Sequence, residues 1–157
     1  MNKPDATQAF FTRSTSVAKV IERLIKATKV SVDAALYRLS HPRLARALHD
    51  AAQRGVQVRV ILDGGKYEMT QATRELLAEF NIPYRLMSGR RGRWAKMHHK
   101  FAILDRRVAL AGSYNWTLES EEQNFEDLLV LREHHQVQEF AEEFGVLWAK
   151  AANRRRP

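Results

Sequence analysis

The chain is predicted to be an α/β protein, a mixed central sheet with helices on both faces. Three observations carry that expectation. Apolar runs of strand length alternate with amphipathic stretches at helical spacing along the sequence. The run Phe101–Leu104 is continuously apolar, as strands buried on both faces are, and Val56–Leu62 reads as a further buried strand. Two short runs, His98–Leu104 and Val108–Ala111, are separated by Asp105-Arg106-Arg107, a spacing that suits a hairpin.

In order, residues 8–11 form a first strand. Val17, Val20, Ile21, Leu24 and Ile25 recur at helical spacing after Ser14 and Thr15, which can cap. Residues 30–37 read as a strand. Ser40 can cap a helix with Pro42 in its first turn; Leu44, Leu48, Ala51 and Ala52 make its inner stripe, and Gly55 closes it. The strand 56–62 ends at Asp63-Gly64-Gly65, where Asp63 is expected to end it structurally. Thr70 can cap a short helix through Phe80, and residues 82–87 form a strand. After the two paired runs comes a polar stretch, 119–123, then a strand over 127–131. Val137, Phe140, Ala141, Phe144, Leu147 and Trp148 outline a final amphipathic helix, and residues 153–157 a basic tail. No internal repeat or second domain is visible, so residues 1–157 are expected to be one domain.

Composition narrows the partners. Lys and Arg exceed Asp and Glu by 26 − 18 = 8, a balance that attracts polyanions, of which nucleic acid is the commonest. No apolar run approaches the ~18 residues of a membrane span, so no stable membrane insertion is expected. No leader is visible in the first ten residues, which carry Asp5 and Gln8. The expected compartment is the cytoplasm, or a secreted or periplasmic one if a leader was removed. With no cysteine, disulfides and thiolate zinc sites are excluded. Neither a metal nor an organic cofactor is called for.

The densest chemistry lies between His98 and Asn115. Its polar skeleton is His98, Lys100, Asp105, Gly112, Ser113 and Asn115. Six fixed positions recur by chance in such a chain on the order of once in a million. On a strand, side chains two apart share a face, so His98 and Lys100 point together while Phe101 and Ile103 point into the opposite layer. The second run ends at Gly112, with Ser113 and Asn115 just beyond, so two adjacent strands deliver His, Lys, Ser and Asn to one place. A phosphodiester repels nucleophiles and has a poor leaving group. Its hydrolysis needs a nucleophile, cationic stabilisation of the phosphoryl oxygens and an acid. His98 suits the nucleophile, through a covalent phosphohistidine. Lys100 supplies charge, and Ser113 and Asn115 hydrogen bonds. Ser113 also suits a turn role after Gly112. Asp105, in its turn, reads as structural, and His99 as structural or solvated. Arg90, Arg91, Arg93 and Lys96, with Trp94 among them and Arg85 upstream, make a basic segment leading into the motif, suited to gripping a nucleic-acid backbone. Trp94 can stack on a base or anchor its loop.

These residues resemble the HKD motif of the phospholipase D superfamily, at that family's spacing. The chain is most similar to its small single-motif members, the bacterial endonucleases and the Zucchini/mitochondrial phospholipase D group. Asn124-Phe125-Glu126 followed by Leu128-Leu129-Val130 extends the resemblance, which is strongest over 97–130 and looser over 37–63 and the last helix. It implies the phospholipase D-like fold. It implies that Glu126 accepts the other ring N–H of His98, with a surface carboxylate as the plainer alternative; Asn124 is a turn residue or a neighbour of the site. It also implies a homodimer with one composite site, since one imidazole cannot both attack and protonate across an in-line displacement. The expected function is metal-independent hydrolysis of DNA or RNA. A lipid phosphodiesterase or a non-catalytic nucleic-acid-binding module are the alternatives.

Overall fold

A computed structural model describes residues 7–151; the basic tail expected at 153–157 lies outside the described residues. Within these described residues seven strands form one sheet: β1 (Gln8–Phe11), β2 (Ser31–Leu36), β3 (Gln57–Asp63), β4 (Tyr84–Met87), β5 (Lys100–Leu104), β6 (Val108–Ala111) and β7 (Asp127–Leu131). Their order is β1-β7-β6-β5-β2-β3-β4. β2 pairs in parallel with β3, and β3 with β4. The remaining pairs are antiparallel, so the sheet is mixed, as expected.

Among the described residues six helices accompany it: α1 (Val17–Lys26), α2 (Pro42–Gln53), α3 (Gly64–Met69), α4 (Gln71–Glu79), α5 (Leu118–Glu122) and α6 (His134–Lys150). One face of the sheet packs Val32, Leu36, Val60 and Leu104 against α1, α2 and α4. The other packs Ala35, Ile61, Phe101 and Ile103 against α6. The alternation along β2 and β5 therefore feeds two cores, and β2 is buried throughout. Each Leu or Ile so buried contributes about 1.5–3 kcal/mol. Under α6, the guanidinium of Arg59 donates two 2.7 Å hydrogen bonds to Asp33. Its plane lies 5.1 Å from the Phe144 ring and 5.4 Å from Trp148. A desolvated carboxylate within the sheet is thus satisfied in the two-pronged way that suits arginine.

Several boundaries differ from the sequence reading. α1 is capped by Ser16, not by Ser14 or Thr15; its hydroxyl accepts from the Lys19 N–H and donates to Glu121. α2 is capped by His41, whose Nδ1 accepts from the Arg43 N–H at 3.2 Å, because Ser40 and His41 both donate their backbone N–H to the Trp116 carbonyl. On α2, Ala45 and Ala47 face the core while Ala52 is exposed. Thr70 occupies the start of α4 but makes no side-chain cap bond. Asp63 does end β3, and it also caps α3, a short helix not expected from the sequence, by accepting from the Lys66 N–H at 2.9 Å. The polar stretch 119–123 is largely the short helix α5, capped by Thr117.

Candidate active site

The motif gathers at one end of the sheet. Leu36 at the end of β2 pairs with Lys100 at the start of β5. Ala111 at the end of β6 pairs with Phe101 and with Leu129 of β7. Crevices outside strand ends are where α/β sheets present functional groups. β5 begins at Lys100 rather than at His98, so the imidazole sits on the approach to the strand. The approach is held in place from two sides. The Tyr37 N–H donates to the His99 carbonyl at 2.7 Å, and the Met97 N–H donates to Asp63 Oδ2 at 2.9 Å.

His98 and Lys100 meet. Lys100 Nζ lies 3.2 Å from His98 Nδ1 and donates to the His98 carbonyl at 2.9 Å. A ring nitrogen that accepts from an ammonium must carry a lone pair, so the contact favours neutral imidazole. Desolvation, then the charges of Lys100 and Lys96, hold the His98 pKa below its ordinary value. Burial likewise lowers that of Lys100, with Glu126 acting the other way. Beneath both lies Tyr37. Its ring centroid is 4.4 Å from that of His98 and 5.2 Å from Lys100 Nζ.

Ser113 lines a cleft of about 480 Å³ together with His98, Lys100 and Gly112. Gly112 brings it there. Its φ is +147°, and a Cβ would lie 2.5 Å from the Asp127 carbonyl oxygen, so only glycine lets the end of β6 approach β7 this closely. Glu126 corrects an expectation. Its carboxylate does not take the His98 ring. It accepts from the Ser113 hydroxyl at 2.5 Å, the Ser120 hydroxyl at 3.2 Å and the Asn124 amide at 3.2 Å. The Thr12 hydroxyl fixes its backbone, accepting the Glu126 N–H at 2.9 Å. Two hydroxyls and an amide within reach satisfy the carboxylate first, and the ring partner of His98 is Lys100. Asn124 is accordingly a neighbour of this cluster. Asn115 is half-buried beyond Tyr114, and among the described residues its buried Oδ1 has no hydrogen-bond partner.

Asp105 stands apart, at the other end of β5. It accepts the backbone N–H groups of Lys29, Val30 and Ser31, at 3.0, 2.7 and 3.0 Å. Burial would raise its pKa, but these three bonds outweigh it and hold the carboxyl below its usual value. His99 is exposed, its ring edge-on to Phe101. Arg90, Arg91, Arg93, Trp94 and Lys96 are all exposed, on a loop pinned by the Gly89 N–H donating to the Ala95 carbonyl at 2.8 Å. Lys96, Arg90 and His98 share a cleft of about 700 Å³. Arg85 does not join them. Its guanidinium stacks 3.9 Å from the Trp148 ring and donates to the Trp148 carbonyl at 2.8 Å, fastening α6.

Residues 21–148 match the family described as cardiolipin synthase, PLD-like domain. The chain belongs to this PLD-like family. Among curated relatives, a human mitochondrial cardiolipin hydrolase is 36% identical over 126 residues, 80% of this chain and 48% of the relative. The mouse protein of that name is 35% identical over 133 residues, 85% of this chain and 58% of its own length. The PLD-like chain thus spans about half the length of the curated relatives it matches. Among solved structures, Nuc from Salmonella typhimurium, a phospholipase D family member, superposes with a TM-score of 0.85 at 24% identity, covering 96% of this chain and 99% of that one. NucT from Helicobacter pylori gives 0.83 at 23%, covering 94% and 98%. At those identities the likeness establishes the fold, and the fold expected from the motif is the one found.

Three residues of this PLD-like site escaped the sequence reading. Tyr37 looked like the apolar end of a strand, yet its ring supports the motif pair. The sequence marks Asp63 as a strand end, and it also tethers the approach to His98. Lys66, in the unexpected α3, brings its ammonium to 5.6 Å from the Tyr37 ring. The Asp63-Gly64-Gly65 turn was the available signal, since a carboxylate followed by two glycines can cap a helix that starts at the sheet end.

Proposed function

We propose that the chain is a metal-independent nuclease that cleaves DNA or RNA phosphodiesters through a phosphohistidine on His98. The observation that carries this reading is the 3.2 Å contact between Lys100 Nζ and the His98 ring. By donating to a ring nitrogen the ammonium favours its unprotonated state until substrate arrives, then moves to a non-bridging phosphoryl oxygen and releases the lone pair. The imidazole attacks phosphorus and the bond to the leaving oxygen breaks. Ser113, its hydroxyl oriented by Glu126, and Asn115, with its unsatisfied Oδ1 beside an amide donor, complete the cradle. Asp105 and Gly112 serve as structural members of the motif. The imidazole of a second copy of the chain gives its proton to the leaving oxygen, then takes one from water. That water attacks phosphorus, the P–N bond breaks and His98 is restored. An apolar patch beside Glu126, with Phe11 49% and Phe125 89% exposed, supports a face that a second copy covers. The exposed Arg90, Arg91, Arg93 and Lys96 with Trp94 support nucleic acid as the substrate.

A lipid diester is the second reading, favoured by the name of the curated relatives, mitochondrial cardiolipin hydrolase. Among the described residues no helix is long and apolar enough to cross a membrane. The deciding experiment incubates the protein in EDTA with plasmid, single-stranded DNA, RNA and cardiolipin vesicles. Nucleic-acid cleavage that persists in chelator and vanishes in His98→Ala is expected. Lipid turnover without nucleic-acid cleavage replaces the first reading with the second. Dependence on added metal rejects the mechanism, and a monomer by light scattering at working concentration rejects the shared site.

A further inference from the structure

Beside the motif opens a cleft of about 680 Å³ that takes no part in the bond-making and bond-breaking steps above. Tyr37 lines it, and this is the ring that packs 4.4 Å from His98. Met69 and Trp94 line it too, and both side chains are largely free, at 78% and 83% exposed. Lys66, Arg93 and Lys96 bring three cations to the same lining. Two carboxylates belong to it. Asp63 is buried and spends its oxygens on the Lys66 and Met97 N–H groups, and Glu68 sits with Met69 on α3. Aromatic and thioether walls with a basic surround thus lie one ring away from the proposed nucleophile.

We propose that this cleft is a nucleobase subsite, which takes one unpaired base adjoining the phosphodiester held at His98. The inference rests on the nuclease reading and sharpens it, because a base can enter only if it is neither paired nor stacked. The site therefore selects single-stranded nucleic acid. The walls suit a flat π-system. Arg93 lies over the Trp94 indole at 4.5 Å, an arrangement that stiffens a stacking platform and adds cation–π attraction. Lys66, 5.6 Å from the Tyr37 ring, offers a donor to a base carbonyl. A hydrocarbon tail in the same place would strip water from that ammonium and return no hydrogen bond, which is costly. The adjoining phosphates meet Lys96 and Arg93, so backbone and base are gripped together.

The test compares a fluorescein-labelled thymidine dodecamer with a strand of equal length and charge built from tetrahydrofuran abasic units. Binding is read in a His98→Ala background, so that nothing is cut. Trp94→Ala and Met69→Ala are surface changes that leave the cores untouched. The intact strand is expected to bind about tenfold more tightly than the abasic one, and Trp94→Ala to erase that difference while leaving abasic binding unchanged. Binding of a duplex of the same sequence is expected to be insensitive to Trp94→Ala, as that of the abasic strand is. Equal affinity for intact and abasic strands, or an equal loss on both in Trp94→Ala, overturns the subsite. So does a Trp94-dependent preference for cardiolipin vesicles over the dodecamer. Cleavage of both strands by the unmodified protein in EDTA separates the two claims. If both are cut at one rate, the nuclease reading stands and the subsite falls. If neither is cut yet the intact strand binds through Trp94, the subsite stands and the nuclease reading falls.

Discussion

The imidazole of His98 rests against the ring of Tyr37, centroids 4.4 Å apart and planes inclined at 52°. Tyr37 is 7% exposed and directly follows β2, so it is a buried support under an exposed ring. We expect Tyr37→Phe to keep activity, because the contact is made by the ring face. Tyr37→Ala should lower kcat by up to about 100-fold with KM little changed, since small misplacements of a nucleophile carry losses of that size. A thermal melt runs alongside, because emptying a buried aromatic site costs about 3 kcal/mol. A loss in Tyr37→Phe equal to that in Tyr37→Ala would show that the hydroxyl, not the ring, does the positioning.

The pair at the site sets a pH window. Burial first, then Lys100 and Lys96, place the His98 pKa below 6.5, so the ring is neutral over a wider range than a free histidine. Burial also places Lys100 below 10.5, so its charge is lost sooner on the alkaline side. An aryl phosphodiester, whose leaving phenolate needs no proton, isolates the attack step. Its kcat/KM should rise with pH through a value under 6.5 and fall again before 10.5. In Lys100→Met the His98 ring resonance, followed by NMR, should titrate at higher pH, because one repelling charge is gone. An unchanged midpoint would mean the two groups do not sense each other.

Asp105 carries a name in the motif but a different task in the chain. It sits with φ +52° and Arg106 with +54°, a tight hairpin turn, and gathers the N–H groups that open β2. Asp105→Ala should cost about 2 kcal/mol, from the lost bond at buried Ser31 and a disfavoured backbone, since the exposed Lys29 and Val30 donors turn to water. Asp105→Asn, which tolerates the left-handed region and keeps one acceptor, should recover part of it. Turnover per folded molecule should be the same in all three proteins. A fall in kcat at full folding would return Asp105 to the chemistry.

How far the sequence could be read follows from what each residue's neighbours decide. His98, Lys100 and Ser113 were legible because strand periodicity and one hairpin suffice to bring them together. The strands β2, β3 and β4 and the helices α2 and α4 were legible from alternation of apolar runs, whereas the order of the strands in the sheet depends on pairings that the alternation does not encode. Tyr37 was not, because an aromatic residue at a strand end looks like any core residue until its partner across the sheet is known. Glu126 was placed near the site correctly in space but not in contact, since Ser113 and Ser120 are closer competitors for its oxygens. His41 caps α2 in place of Ser40 because the Trp116 carbonyl, distant in the chain, takes both N–H groups. α3 and α5 are too short for periodicity to register.

Gly112 is the residue on which the approach of β6 to β7 turns. A Cβ there would meet the Asp127 carbonyl oxygen at 2.5 Å and its Oδ1 at 2.7 Å, on a backbone at φ +147°. Gly112→Ala should therefore destabilise by about 2–3 kcal/mol and move Ser113 away from Glu126. The expected signs are a lowered melting temperature and, at temperatures where the variant is folded, a reduced kcat. Wild-type stability in Gly112→Ala would mean the strand ends part without cost.

His41 makes a prediction about stability alone. It is 6% exposed, and its Nδ1 must be unprotonated to accept from Arg43 and cap α2. Desolvation lowers its pKa and Arg43 lowers it further, while Glu121, Glu122 and Glu22 raise it; the net shift is downward from 6.5. A histidine lowered on folding binds fewer protons in the folded than in the unfolded state. Its contribution is therefore whole above 6.5 and is lost as pH falls through the window beneath it. His41→Asn keeps a cap acceptor that does not titrate in that range. Urea denaturation at several pH values should show the wild type weakening below 6.5 more steeply than His41→Asn, with the two converging in slope above it. Parallel curves across the whole range would show that the cap does not sense protons.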